Sequence, residues 1–362
     1  MRIESTTHPS FSALLRLQNL AASASLVALA CGIYLLAPFN QRQLGALYEL
    51  ASISFRGEQF LLAAALGYVA LLALFYGLER EPQVSKSLRC VGVLSAWIGK
   101  PSRAFFRSLA DADRLALLTT LLKSFFGPMM VMSLMAFSVG ALQNGLALAG
   151  PGALDEGFGA LFNRYGFAFI MKTMMFIDVL VFTVGYLVEL PQLGNSIRSV
   201  DTSLMGWGAA LLCYPPFNQF TAGLLGSQLT EFPQFDNPTL HLVLNGLLLA
   251  LMAVYTGASV ALGLKASNLT HRGIVARGPY ALVRHPAYTC KNMAWWIGSI
   301  PLVSLAFDHS LYDGLLALGS VVGWTLIYVM RALTEEDHLR RVDGDYALYA
   351  QRVRYRFLPG LL

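Results

Sequence analysis

Leu240–Gly263 reads LHLVLNGLLLALMAVYTGASVALG, and no charged side chain interrupts it. About twenty apolar residues carry a helix across the hydrocarbon layer of a bilayer. Working outward, seven further stretches have the same character: roughly 18–38, 58–78, 115–145, 165–189, 203–226, 292–307 and 311–331. Three depart from a plain span. The third is overlong, carries Lys123 and Pro128, and is expected to begin as an interfacial helix; Tyr214-Pro215-Pro216 interrupts the fifth; the seventh is short and holds Gly298 and Pro301.

The bulk composition agrees. The 362 residues are 56% hydrophobic and 13% charged, with a mean hydropathy of +0.55, whereas soluble domains carry about 25% charge. The expected fold class is therefore all-α: a polytopic transmembrane helical bundle of about eight spans. The first apolar run is long enough to span and lacks a small-residue cleavage site, so it reads as a retained helix. The net charge of +5 is modest and its placement is a topology signal, not a nucleic-acid footprint.

Eight crossings put the N-terminus and the loops at 79–114, 190–202 and 264–291 on the same side as the tail. The other side then holds only Arg42, Arg56 and Arg164, and Lys123 and Lys172 fall within spans. All remaining Lys and Arg share the first side, which the positive-inside tendency makes cytoplasmic. Dropping the fifth segment alone would set the basic 79–114 loop opposite the basic tail. Both termini are thus expected in the cytoplasm, with a bacterial inner membrane as the setting. Within 79–114, Ser102 to Leu118 reads as an amphipathic helix on the membrane surface.

Cys31, Cys90, Cys213 and Cys290 lie far apart without zinc or haem ligand spacing. Chemistry-bearing residues concentrate after residue 264. In Arg284-His285-Pro286-Ala287-Tyr288, Pro286 suits the first position of a helix. His285 then sits where free backbone N–H groups favour an anion, with the rings of Tyr280 and Tyr288 beside it. Arg331 and Glu335, spaced i, i+4 at the cytoplasmic end of the last apolar segment, present a guanidinium and a carboxylate on one face. Glu336 points about 100° away and reads as solvated. Tyr346 and Tyr349 are placed to close over a cofactor, while Arg352, Arg354 and Arg356 suit a segment beneath anionic headgroups. Taken singly, each piece also has an ordinary reading as an interfacial loop, a surface ion pair or belt aromatics. Lys172, Asp178, Glu189, His241, Asn218 and Asn245 are further polar groups in or beside the spans.

Together, Arg-His-Pro-x-Tyr, Arg-x-x-x-Glu about fifty residues later, Tyr-x-x-Tyr and Arg-Phe-x-Pro resemble the C-terminal part of the isoprenylcysteine carboxyl methyltransferase superfamily. That group includes phospholipid and thiol methyltransferases, and sterol double-bond reductases share its C-terminal architecture. The resemblance covers about 264–362 and divides the chain into an N-terminal multi-span region, 1–263, and a methyltransferase-like region, 264–362. It implies a cytoplasmic pocket for S-adenosylmethionine, with Tyr280, Arg284, His285, Pro286, Tyr288, Glu335, Tyr346 and Tyr349 as cofactor-binding residues. Arg331 and Glu335 would be catalytic, where the cofactor meets a lipidic acceptor entering from the bilayer. Where the family commonly has Gly two residues after the motif Tyr, this chain has Cys290, followed by Lys291 and Asn292. The leading expectation is an S-adenosylmethionine-dependent methyltransferase of a lipid or small apolar acceptor, with no metal. The rivals are an NADPH-dependent reductase of a sterol-like or isoprenoid double bond and a non-catalytic membrane scaffold or transporter.

Overall fold

The computed structural model describes residues 9–50, 52–150, 157–226 and 229–361. Among them, six helices are long and apolar enough to cross a membrane: Phe11–Leu36, Gly57–Leu78, Asp111–Leu148, Phe158–Leu187, Pro238–Lys265 and Leu311–Val342. They coincide with six of the eight apolar stretches. Helices prevail because hydrocarbon offers no partner for a backbone N–H or C=O, so each segment must satisfy its own. The chain divides into two compact units, Met1–Met132 and Ser133–Leu362.

In the first unit, α1 (Pro9–Leu36) leads through α2 (Gln41–Gly45) and a hairpin of β1 (Leu47–Leu50) and β2 (Ile53–Arg56) into α3 (Gly57–Leu78). α1 packs on α3 and on α4 (Lys86–Gly99). The fully buried Asn19 ties them: its amide donates to Gln83 O at 2.7 Å and accepts from Ser85 N at 3.0 Å. The surface helix expected over 102–118 is instead broken. α5 (Arg103–Arg107) ends at Ser108, and Leu115 and Leu118 belong to α6 (Asp111–Leu148), which begins afresh with Asp111 and Asp113 in its first turn, where acidic groups complement the helix dipole. α6 continues through Pro128. At 1.5 Å per residue it is about 57 Å long, more than a whole bilayer needs.

The second unit carries the polar groups. α7 (Phe158–Leu161) passes through a π turn into α8 (Phe167–Leu187). The fifth apolar stretch is α9 (Leu204–Leu211) and α10 (Phe217–Leu225), separated at Pro215-Pro216, which have no N–H to continue a helix. α11 (Pro238–Leu262), α12 (Pro286–His309), α13 (Leu311–Val342) and α14 (Asp345–Arg352) follow. α12 covers the seventh stretch as one continuous helix through Pro301. It lies outside the six because Lys291, Asn292 and its serines dilute its apolar character.

α8 and α11 run parallel. Asn163 donates to Pro238 O at one end, Asp178 accepts from Tyr255 and Ser259 midway, and Arg272 donates to Gly185 O past the other end. There Gly185 is required, since a Cβ would run into the carbonyl of Ala266. The chain between them therefore travels the length of the bundle, through α9, α10 and a non-helical stretch. That stretch is sheltered by protein: Gly226 O accepts from the Trp324 indole, Thr230 O lies against Gly298, and Glu231 meets Lys291. α12 and α13 form an antiparallel hairpin with a constant register, seen where Trp296 donates to Thr325 and where His285 meets Glu336. A short antiparallel pair, β3 (Ser199–Val200) with β4 (Thr270–His271), joins the loops after α8 and α11.

Candidate functional site

Pro286 opens α12 as expected, and His285 is its N-cap residue. Its ring does not cap the helix: Nε2 lies 3.2 Å from Glu336 Oε1. Glu336 is fully buried, which corrects its reading as a solvated residue. Around its carboxylate stand Arg284 (3.3 Å), Arg356 (3.2 Å to each oxygen) and Arg340 (2.7 Å). The 100° offset from the Arg331–Glu335 face was sound, but that direction leads to the returning tail, not to water.

The tail is then bound by its backbone. Arg284 N donates to Tyr355 O at 3.0 Å, His285 N to Arg356 O at 2.9 Å, and Thr289 Oγ1 to Phe357 O at 3.3 Å. Tyr349 donates to Tyr280 O at 2.9 Å and, with Tyr346 and Val353, fills a small apolar cluster. Burial pushes the Tyr349 hydroxyl up to about 12, so it stays a donor. Tyr280, Arg284, His285, Pro286, Tyr346 and Tyr349 thus form one knot that fastens the tail to the start of α12.

One turn away, Tyr288, Arg331 and Glu335 line a cleft of about 40 Å³. Arg331 is 6% exposed and donates to Asn268 Oδ1 at 2.9 Å. Its guanidinium lies over the rings of Tyr288 (5.0 Å), Tyr328 (5.1 Å) and Tyr214 (5.7 Å). Among the described residues, no ion pair joins Arg331 to Glu335. The exposed Glu335 instead accepts from the Tyr288 hydroxyl at 2.9 Å. The cleft therefore offers a buried cation whose partners are neutral, and beside it a carboxylate open to solvent.

The same cleft is lined by Asp201, Asn268 and His338, which the sequence reading missed. His338 was within reach of it: three residues past Glu335 and seven past Arg331, it shares their helix face. Asp201 and Asn268 carry no such signal, because only the β3–β4 pairing brings their loops to α13. Those loops are themselves held by buried groups. Arg272 donates to Asn195 O and Gly185 O, each within 2.9 Å, and Glu189 accepts from Ile197 N. His271 meets Asp343 at 2.8 Å and its Nδ1 accepts from Gly273 N. Burial holds the His271 imidazole below its ordinary value, with Arg198 and Lys265 adding to the shift and Asp343 opposing it. Neutral His271 with its proton on Nε2 satisfies both contacts.

A second polar group lies deeper. Lys291 pairs with Glu231 at 3.0 Å and lies over the rings of Tyr255 and Trp295. The Trp295 indole donates to the same carboxylate at 2.9 Å, and the Tyr255 hydroxyl donates to Asp178 at 2.8 Å. Trp295 also meets Tyr328 edge-on at 5.0 Å. An aromatic wall thus runs from Arg331 through Tyr328 and Trp295 to Lys291. Lys172 packs against Gly140, and the buried His241 and Asn245 lie on the α11 face that also carries Ser259.

No protein-family model, curated protein or solved structure matches this chain.

Proposed function

We propose that this chain is an integral membrane, S-adenosylmethionine-dependent methyltransferase acting on a lipid or small apolar acceptor. One observation carries the reading: Tyr288, Arg331 and Glu335, named from their sequence pattern, line a single cleft at the end of α12 and α13. The family resemblance of 264–362 supports the same activity. When bound, S-adenosylmethionine supplies an electrophilic methyl on a sulfonium. The donor set suits it: the exposed Glu335 carboxylate attracts a cation, and Arg331 can grip a carboxylate. The volume of about 40 Å³ admits solvent but not a nucleoside, so binding requires the lip of the cleft to open. That lip is formed by residues 267–270 and by Gly206 and Ala210 of α9.

The roles follow from the partners. Arg331, whose hydrogen bond goes to a neutral amide, orients an acceptor carboxylate without first giving up an ion pair. Glu335 is the base for an acceptor that must lose a proton, such as an amine. The aromatic wall towards Trp295 keeps water from the reacting atoms. Lys291 and Glu231 shape the far end of that wall, where an apolar acceptor entering from the bilayer would rest.

The membrane topology in this proposal has eight crossings and cytoplasmic termini. It is supported by the charge distribution and by the pairing of β3 with β4, which sets the loops after α8 and α11 at one end of the bundle.

Isothermal titration of the purified protein with S-adenosylhomocysteine, and separately with NADPH, tests the reading. Saturable binding of S-adenosylhomocysteine is expected. Binding of NADPH alone would overturn it in favour of a double-bond reductase, and binding of neither would leave a scaffold or transporter.

A further inference from the structure

Beside the cleft lies a larger opening, of about 400 Å³, lined by Ser203, Met205, Thr334, Asp337, Arg340 and Arg341. Thr334 belongs to both. We propose that this second opening binds the phosphate of an anionic lipid headgroup. The assignment does not depend on methyl transfer.

Charge and donor geometry carry the first part of the argument. Two half-exposed guanidinia face one carboxylate in the lining. Arg341 gives its Nε to Asp337 O and stands 3.8 Å from Asp201; Arg340 gives NH2 to Glu336 and stands 3.7 Å from Asp337. Each guanidinium has five N–H donors, so both retain N–H groups for a phosphate. The Ser203 oxygen accepts from Gly206 N, which leaves its hydroxyl proton to donate. Thr334 spends its proton on Met330 O and Arg331 O.

The surroundings choose the source of the phosphate. Leu204 is 93% exposed and Met205 58% exposed, next to Ser203 at the start of α9. In a membrane-embedded chain, bare apolar side chains flanked by arginines at a helix end mark the headgroup boundary. Acyl chains can lie along Leu204 and Met205 while the phosphate enters between Arg340 and Arg341. The volume is within the range of a ligand site, whereas the cleft holds only about 40 Å³. A free phosphate would gain nothing from the apolar rim.

Native mass spectrometry of the detergent-purified chain, titrated with dioleoyl phosphatidic acid, dioleoyl phosphatidylcholine or inorganic phosphate, tests the assignment. Phosphatidic acid is expected to bind at least about tenfold more tightly than phosphatidylcholine, whose choline cation competes with the arginines. Arg341→Gln is expected to weaken phosphatidic acid by about tenfold, while Arg341→Lys retains part of the affinity. Arg42→Gln, on the exposed arginine of α2, should leave it unchanged. Equal binding of the two lipids by the wild-type chain would overturn the proposal, whatever the variants do. So would an unaltered Arg341→Gln, an equal loss in Arg42→Gln, or displacement of the lipid by an equal concentration of inorganic phosphate.

Discussion

Glu335 and Glu336 are neighbours on α13, yet they belong to two different kinds of region. Around Glu336 the carboxylate is fully answered: three arginines and a histidine surround it, and the tail backbone closes over it. Around Glu335 little is: its one hydrogen bond described here comes from a tyrosine, and nearby Arg331 leans on an amide and three aromatic faces. A carboxylate so surrounded holds structure in place, because any cationic ligand would have to displace existing partners. A cation with neutral partners and an exposed carboxylate have interactions left to give. The difference separates the fastening from the cleft within a few residues of the same helix.

Glu336→Gln is the sharpest way to break the contrast. It strands three guanidinia, and losing one partner of a buried ion pair costs about 3 kcal/mol, the low end because Arg340 and Arg356 keep contact with solvent. Thermal unfolding in detergent should show a large drop in midpoint, with the tail more open to proteolysis near Tyr355. A midpoint equal to that of the wild type would remove the structural role.

Arg331→Ala should do the reverse. Methyl incorporation into a membrane-lipid extract is expected to fall about a hundredfold, the scale of losing one charge-stabilising donor. S-adenosylhomocysteine affinity should stay close to wild type, and the unfolding midpoint should fall less than in Glu336→Gln, since the lost partners are neutral. Equal incorporation by mutant and wild type would take Arg331 out of the reaction. His285→Ala belongs to the Glu336 side of the comparison: lowered stability is expected to accompany any loss of cofactor affinity, and an affinity loss at unchanged midpoint would return His285 to the cleft.

Tyr288→Phe sharpens the border between the regions. The ring over Arg331 is kept, but the hydrogen bond to Glu335 is lost, at about 1 kcal/mol. S-adenosylhomocysteine binding should weaken by roughly fivefold, read by titration calorimetry, with only a small drop in the unfolding midpoint.

The smallest effect is one of pH. His271 has a depressed value in the folded chain, so the unfolded chain takes up its proton first as pH falls. Stability should therefore be full above about pH 6.5 and decline below it. A midpoint that does not fall between pH 7 and pH 5.5, or that falls equally in His271→Gln, would show that this imidazole does not contribute.

Much of this was legible in the chain and some of it was not. Six apolar stretches read from the sequence are continuous helices, because length and hydrocarbon character alone demand that a backbone bond to itself. Pro286 as the first residue of α12, and the break at Pro215-Pro216, follow from the missing N–H of proline. The helix expected over 102–118 was not there, since its apolar residues are shared between two helices with separate starts. Glu231 gave no sign of pairing with Lys291, because no periodicity links a non-helical stretch to α12.

The sequence by itself determined that this chain is built of membrane-length apolar helices and that Arg331 and Glu335 share one helix face. Both follow from local physics: hydrophobic run length, and the spacing of side chains along a helix. Only the tertiary structure decided that Glu336 is the fastening, that Asp201 and Asn268 complete the cleft, and that Arg340 and Arg341 open onto a second site. Those outcomes depend on which loops meet at the end of the bundle. The pairing of β3 with β4 and the return of the tail bring together residues separated by tens to more than a hundred positions, and no local pattern encodes such a meeting.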